Sequence, residues 1–169
     1  MTDSTAPAPQ DFFAAVAEIG EVEVLDVAAM ELLYRLECSG EDFYTGLAER
    51  VGNERAAELL RRNGKEERGH AERIGRAIAI RQGHAFEPTA ELETRFAVPL
   101  PDEISAELFP VIVKAEIDGD AGYQRWADRE SDPEVERLLR LNGREETIHG
   151  RRVDEVRAIL EPDTAPAVS

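Results

Sequence analysis

The sequence predicts an all-α fold, a four-helix bundle made of two antiparallel helix hairpins joined by one long crossover. Three observations carry this reading. Start and stop signals bracket four long helical stretches, the connections between them run short, long and short, and the second half of the chain repeats the first. No stretch shows a convincing period of two, the mark of a half-buried strand.

The elements follow in order. Residues 1–25 form an N-terminal extension, in which Met1 to Gln10 is rich in Ala, Pro, Ser and Thr and reads as a loose end. Asp11 to Leu25 (DFFAAVAEIGEVEVL) reads as a short packing helix. Asp26 is placed to cap the first bundle helix, which runs through VAAMELLYRLECSGEDFYTGLAERV to Gly52. Asn53 caps the second, which ends at Gly83. The third is expected from about Pro110 to Glu130. Ser131, Asp132 and Pro133 then supply a cap and a proline at the first helical position, and the fourth helix extends to about Leu160. The bundle therefore occupies residues 26–160, with a loose tail at 161–169.

Connection lengths set the topology. About two residues separate the first helix from the second, and the third from the fourth, so each pair must fold back as a hairpin. The crossover, His84 to Phe109, has about 25 residues, three of them proline, and no strong period. A 26-residue helix is about 39 Å long. An extended linker of this size spans that length with residues to spare.

Composition narrows the function. A formal net charge of −16 argues against nucleic acid, whose phosphates need clustered Lys and Arg. No apolar run reaches the roughly 18 residues of a membrane span. The N-terminus lacks the basic start and apolar core of a secretory signal, so the cytoplasm is the expected location. Cys38 is the one cysteine, which excludes an intrachain disulfide framework and a four-cysteine iron site. It follows Glu37 on a helix, points about 100° away from it, and reads as a packing residue.

The two hairpins are copies at an offset of 79 residues. Leu59 to Ile74 (LLRRNGKEERGHAERI) aligns with Leu138 to Val153 (LLRLNGREETIHGRRV) at nine of sixteen positions. The same offset pairs Glu37 with Glu116, Gly40 with Gly119, Glu41 with Asp120, and Tyr44 with Tyr123. What is duplicated is a set of metal ligands. Glu67-x-x-His70 and Glu146-x-x-His149 each put a carboxylate and an imidazole on one helix face, and Glu37 and Glu116 add one carboxylate each. One Glu from each of two helices and Glu-x-x-His from each of the other two is the pattern of di-iron and di-manganese carboxylate bundles. Four carboxylates neutralise two divalent ions, and the mixed oxygen and nitrogen donors suit iron or manganese. Leu60, Ile74, Leu139, Val153, Ile112 and Met30 share the stripes of these six residues, so the carboxylates fall where core is expected. Ionised carboxylates there need a metal or another partner.

Neighbouring positions extend the reading. Tyr44 and Tyr123 lie two turns beyond Glu37 and Glu116, placed for a phenol to donate a hydrogen bond to a ligating carboxylate. Gly40, Gly119, Gly64 and Gly143 lie one turn from ligands, where a missing side chain makes room for a small oxidant or for close helix packing. Glu41 and Asp120 are candidates for an extra carboxylate or for lining the entry. Glu66 and Glu145 precede ligands and should face solvent or arginine; their use as ligands in place of Glu67 and Glu146 is the competing register. Trp126 reads as core and His84 as a loop residue.

These residues resemble the rubrerythrin branch of the ferritin-like superfamily over most of residues 26–160. The resemblance rests on Glu37 with Tyr44, Glu67-Arg-Gly-His70 followed by AERI, Glu116 with Tyr123, and Glu146-Thr-Ile-His149. It implies two iron ions in a non-haem centre that reacts with hydrogen peroxide or dioxygen, commonly in a homodimer. The metal pair would clamp both peroxide oxygens, polarise the O–O bond and supply two electrons. Two features depart from the family. The glutamate usual one turn after the third-helix ligand is replaced by Gly119, with Asp120 beside it. The rubredoxin domain that usually delivers electrons has no cysteines to form it here, so a separate donor protein is expected. Two further readings stand beside the peroxidase. One is an oxygen-activating hydroxylase similar to the demethoxyubiquinone hydroxylases, which needs an apolar substrate channel. The other is a ferroxidase or iron-storage subunit, which needs assembly into a shell.

Overall fold

A computed structural model describes residues 8–161, so the loose ends expected at Met1–Gln10 and Glu161–Ser169 fall mostly outside the described residues. Among these, the chain forms six helices and no strand: α1 (Phe12–Gly20), α2 (Val27–Arg50), α3 (Glu54–Gln82), α4 (Ala90–Glu93), α5 (Leu108–Asp128) and α6 (Pro133–Leu160). No helix among them is long and apolar enough to cross a membrane.

Three of the four bundle helices start on the expected caps. Asp26 accepts from the Ala29 N–H at 2.9 Å and Asn53 from that of Ala56 at 3.1 Å. Asp132 accepts from Glu134 and Val135 at 2.9 and 3.2 Å, with Pro133 leading the helix. Each such cap contributes about 1 kcal/mol. Gly83 ends α3 with φ +73°, a left-handed conformation that favours glycine. The expected bounds of the third bundle helix shift two residues toward the N-terminus. Pro110 falls inside the first turn of α5, where the N–H it lacks has no helical partner to lose. The single turn α4 went unforeseen in the crossover; it is too short to show an apolar period and rests on Thr89, whose hydroxyl accepts from Leu92 N–H at 3.3 Å.

Packing confirms an all-helical bundle. Helix α2 lies on α3, α5 on α6, and α3 on α6. Along α2 and α3 the contacts run in opposite sequence order, with Gly75 beside Tyr34, Gly64 beside Tyr44 and Gly40 beside Glu67. On α5 and α6 they run the same way, with Gly150 beside Glu116 and Gly143 beside Tyr123. Helices α2 and α5 come no closer than side-chain reach.

The core is split into two apolar clusters. One gathers Met30, Leu33, Ile74, Ile78, Val135 and Leu139, together with Ala15 and Ile19 of α1. The other gathers Leu47, Leu60, Phe109, Ile112, Val153 and Val156. Between them lies the level of Glu37, Glu67, His70, Glu116, Glu146 and His149. Trp126 is core, as expected, and its Nε1 donates to the Val22 carbonyl at 2.8 Å. The crossover is pinned to α2: Phe96 N–H donates to Ser39 Oγ at 2.9 Å, and the Arg35 guanidinium lies 3.8 Å above the Phe96 ring.

Glycine spacing yields a stability test. A Cβ on Gly143 would lie 2.9 Å from Tyr123 Cβ, while one on Gly119 would meet nothing nearer than Glu146 Cγ at 3.6 Å. Gly143→Ala is therefore expected to destabilise the metal-free protein by about 1–3 kcal/mol. Gly119→Ala should be neutral or stabilise it by up to about 1 kcal/mol through helix propensity. Urea unfolding of both variants checks the difference, and equal effects would contradict the packing described.

Candidate metal centre

Four helices each deliver one part of the site. Glu37 projects from the middle of α2, Glu116 from α5, and the Glu-x-x-His pairs from α3 and α6. Both histidines are fully buried, and the carboxylate side chains are at most 10 % exposed. Nδ1 of His70 faces Glu37 at 3.4 Å, Glu67 at 3.4 Å and Glu146 at 3.2 Å. Nδ1 of His149 faces Glu67 at 3.1 Å, Glu146 at 3.3 Å and Glu116 at 3.7 Å. Two groups result, each with ligand atoms within 4.8 Å of one another: Glu37, Glu67, His70 and Glu146, and Glu67, Glu116, Glu146 and His149. Glu67 and Glu146 belong to both.

Both Nδ1 atoms are buried and have no hydrogen-bond partner. Such an orphan costs free energy unless something fills its direction. The opposite ring nitrogens are occupied. His70 Nε2 lies 3.0 Å from Glu145 Oε2 and His149 Nε2 lies 3.2 Å from Glu66 Oε2. An ionised carboxylate only accepts, so Nε2 carries a proton, and Nδ1, on giving up its own, can offer a lone pair to a cation held among the carboxylates. That donor set, two imidazole nitrogens among four carboxylates, fits a pair of divalent cations.

The two phenols each meet a carboxylate of the cluster, with a crossing that the sequence does not reveal. Tyr44 on α2 donates to Glu116 Oε1 on α5, and Tyr123 on α5 donates to Glu37 Oε1 on α2. Glu66 and Glu145 do meet arginine, as expected. Arg152 reaches Glu66 at 2.6 and 3.1 Å, and Arg73 reaches Glu145 at 2.6 and 2.8 Å. Their contact with the histidines was missed, as were Asn63 and Asn142, which donate to the backbone carbonyls of His149 and His70 at 3.2 and 3.3 Å. The available signal was the 79-residue repeat: Asn63, Glu66 and Arg73 recur as Asn142, Glu145 and Arg152.

Other candidates lie outside the cluster. Glu41 pairs with Arg95 at 2.7 Å and Arg68 at 3.0 Å, and Asp120 accepts from Thr147 at 2.6 Å. Gly40 serves close packing, because a Cβ there would sit 3.0 Å from Glu67 Cγ. Cys38 is half-buried, and burial pushes its thiol above the ordinary range.

A family model described as Rubrerythrin matches residues 29–157, a span that contains all six residues of the cluster. The chain belongs to the rubrerythrin family. No curated protein and no solved structure matched it in the corresponding comparisons. In a rubrerythrin-family chain, this carboxylate and histidine cluster fits a di-iron protein.

Protonation divides the cluster. Burial pushes the Glu37 carboxyl up to about 8, and burial with the nearby Glu146 raises Glu116 well above the usual range. Burial also opposes ionisation of Glu67 and Glu146, but the two imidazoles that face them outweigh it and hold both low. Burial works against the imidazolium forms, yet Glu146 and its neighbours raise His70, and Glu146 and Glu67 raise His149 to about 9.

The sign of the pH dependence follows. Glu37, Glu116, His70 and His149 have raised folded values, so their contribution is intact below the unfolded values and lost as pH rises through the folded ones. The low values of Glu67 and Glu146 act in the other direction, below the ordinary value of 4.5. The melting temperature of the metal-free rubrerythrin-family chain is thus expected to peak near about pH 5 and fall toward about pH 9. Circular dichroism melts across that range check it, and Glu37→Gln with Glu116→Gln should flatten the alkaline fall.

Proposed function

We propose that this chain is a two-metal oxidoreductase that reduces hydrogen peroxide with electrons from a separate donor protein. The observation that carries the reading is the pair of buried, unpartnered Nδ1 atoms, each facing three carboxylates of which two are shared. Glu37, Glu67, His70 and Glu146 would hold one ion, and Glu67, Glu116, Glu146 and His149 the other. Iron is the metal the family points to, and manganese suits the same donors. When bound in its reduced form, the metal pair supplies the two electrons that, with two protons, convert one hydrogen peroxide to two waters.

The chain's own residues bind, orient and exclude water. Four carboxylates balance two divalent charges, which makes ionised glutamates tolerable in a core. Tyr44 and Tyr123 each tether one oxygen of Glu116 and Glu37, and the second oxygen of each faces a histidine Nδ1. Burial and the adjoining carboxylates push both phenols well above their ordinary range, so they keep their protons and remain donors. The apolar clusters on either side keep bulk water from the cluster's level. With Cys38 as the one cysteine, these 169 residues hold no four-thiolate electron carrier, so the donor lies outside them. By family resemblance, the working unit is a homodimer.

Two experiments test the proposal. Anaerobic loading is expected to give about two iron or manganese ions per chain, and Glu67→Ala or His149→Ala should lose most of the bound metal. Full occupancy in Glu67→Ala would show that the ligand register is wrong. In stopped-flow mixing, hydrogen peroxide should oxidise the reduced iron-loaded protein faster than dioxygen at equal concentration. The reverse order would favour the hydroxylase or ferroxidase reading.

A further inference from the structure

The walls around the cluster are not alike. Within each hairpin the helices meet at glycine, where a Cβ on Gly64 or Gly143 would lie 3.1 Å from Tyr44 Cβ or 2.9 Å from Tyr123 Cβ. Between α3 and α6, Arg73 and Arg152 span the seam to the facing helix. Among the described residues, α2 and α5 are the neighbours that stand apart, and α1 lies on both of them. Phe12, the first residue of α1, packs against both apolar clusters, and the ligands lie at the level between those clusters. We propose that Phe12 is a size filter over the metal site, admitting hydrogen peroxide between α2 and α5 and turning away bulkier organic hydroperoxides.

This inference rests on the peroxide-reducing function proposed above and deepens it by the size of the substrate. The Phe12 ring stacks on Phe43 with centroids 5.1 Å apart, and Phe43 meets Tyr44, the phenol that donates to Glu116, at 5.2 Å. Its backbone is held as well. Phe12 N–H donates to the Ala97 carbonyl of the crossover at 3.0 Å, and Asp11 caps α1 through Ala14 N–H at 2.9 Å. On α5 the repeat puts Gly122 in the place of Phe43. Gly122 is buried, yet a Cβ there would meet nothing nearer than Trp126 at 3.7 Å. The α5 wall therefore carries no side chain at that position, and the Phe12 ring sets the width. An aromatic ring offers no ligand atom, so changing it alters passage and leaves metal affinity alone. Tert-butyl hydroperoxide takes the same two electrons and two protons as hydrogen peroxide and yields tert-butanol and one water, so it probes bulk with the same stoichiometry.

The test uses the full-length protein. In stopped-flow mixing, the reduced, iron-loaded wild type should react with hydrogen peroxide far faster than with tert-butyl hydroperoxide. Phe12→Ala is expected to raise the tert-butyl hydroperoxide rate about tenfold and to change the hydrogen peroxide rate less than about threefold. A readout free of turnover accompanies it. Transfer of bound zinc to excess EDTA should be about tenfold faster in Phe12→Ala, with the zinc dissociation constant unchanged. Trp126, the one tryptophan, reports whether α1 stays docked, because its indole donates to Val22 just beyond α1. Where acrylamide quenching shows α1 loosened in Phe12→Ala, Phe12→Leu decides: it should keep Trp126 shielded and give a smaller rise in both the tert-butyl hydroperoxide and zinc-transfer rates. Phe13→Ala removes a neighbouring ring that is 44 % exposed, and it should leave the rates nearly unchanged. Unchanged rates in Phe12→Ala, equal rises for the two hydroperoxides, or the same effect in Phe13→Ala overturn the filter. A wild type whose reduced form does not react with hydrogen peroxide overturns the function proposed above, and zinc transfer then decides on the filter alone.

Discussion

Four carboxylates at one level of a protein core set the terms for everything around them. A buried ionised carboxylate is costly, and four together repel one another. The bundle meets this with two imidazoles, two phenols and a geometry that leaves both Nδ1 atoms free. Its response without metal is uneven. Glu67 and Glu146, which meet both histidines, stay ionised, while Glu37 and Glu116 are pushed toward the protonated form. Binding of cations at the same place would relieve the repulsion and displace those protons.

The rest of the architecture follows from keeping that level polar and its neighbours apolar. The core divides into two clusters instead of one continuous seam, and the polar level lies between them. Helices α2 and α5 stay apart, so that side chains and not backbones close the distance between them. Gly40 removes a side chain where α2 meets the Glu67 carboxylate, and Gly64 and Gly143 let the hairpin helices approach. Placement on long helices, with neighbours that lock the rotamers, is what gives such a site its precision.

The 79-residue repeat is close at the site and looser away from it. Ligands, phenols, asparagines and arginines recur in both halves, so both proposed ion positions receive the same supports. Outside, the halves diverge. The crossover covers α2 through Phe96, whereas Val111 and Ile117 on α5 are 64 % and 57 % exposed. Leu47 in the first half corresponds to Trp126 in the second, which turns its indole to the loop before α2. Gly119 is less crowded than its counterpart Gly40, because a Cβ there would clear Glu146 by an ordinary contact distance.

The amino-acid sequence alone determined what depends on short-range geometry. Caps at Asp26, Asn53 and Asp132, the stop at Gly83 and the Glu-x-x-His spacing are set within one or two turns of helix, and so were legible before any packing was known. The 79-residue repeat then assigned Glu37 and Glu116 to the same set. Only the tertiary structure decided which groups face one another across helices. That Glu66 serves His149 and Tyr44 serves Glu116 depends on the relative height and rotation of packed helices. Side-chain facing across an interface varies with ångström shifts that no local pattern records. The start of α5 and the single turn of α4 belong to the same class, because neither carries a side-chain signal long enough to be read without the contacts around it.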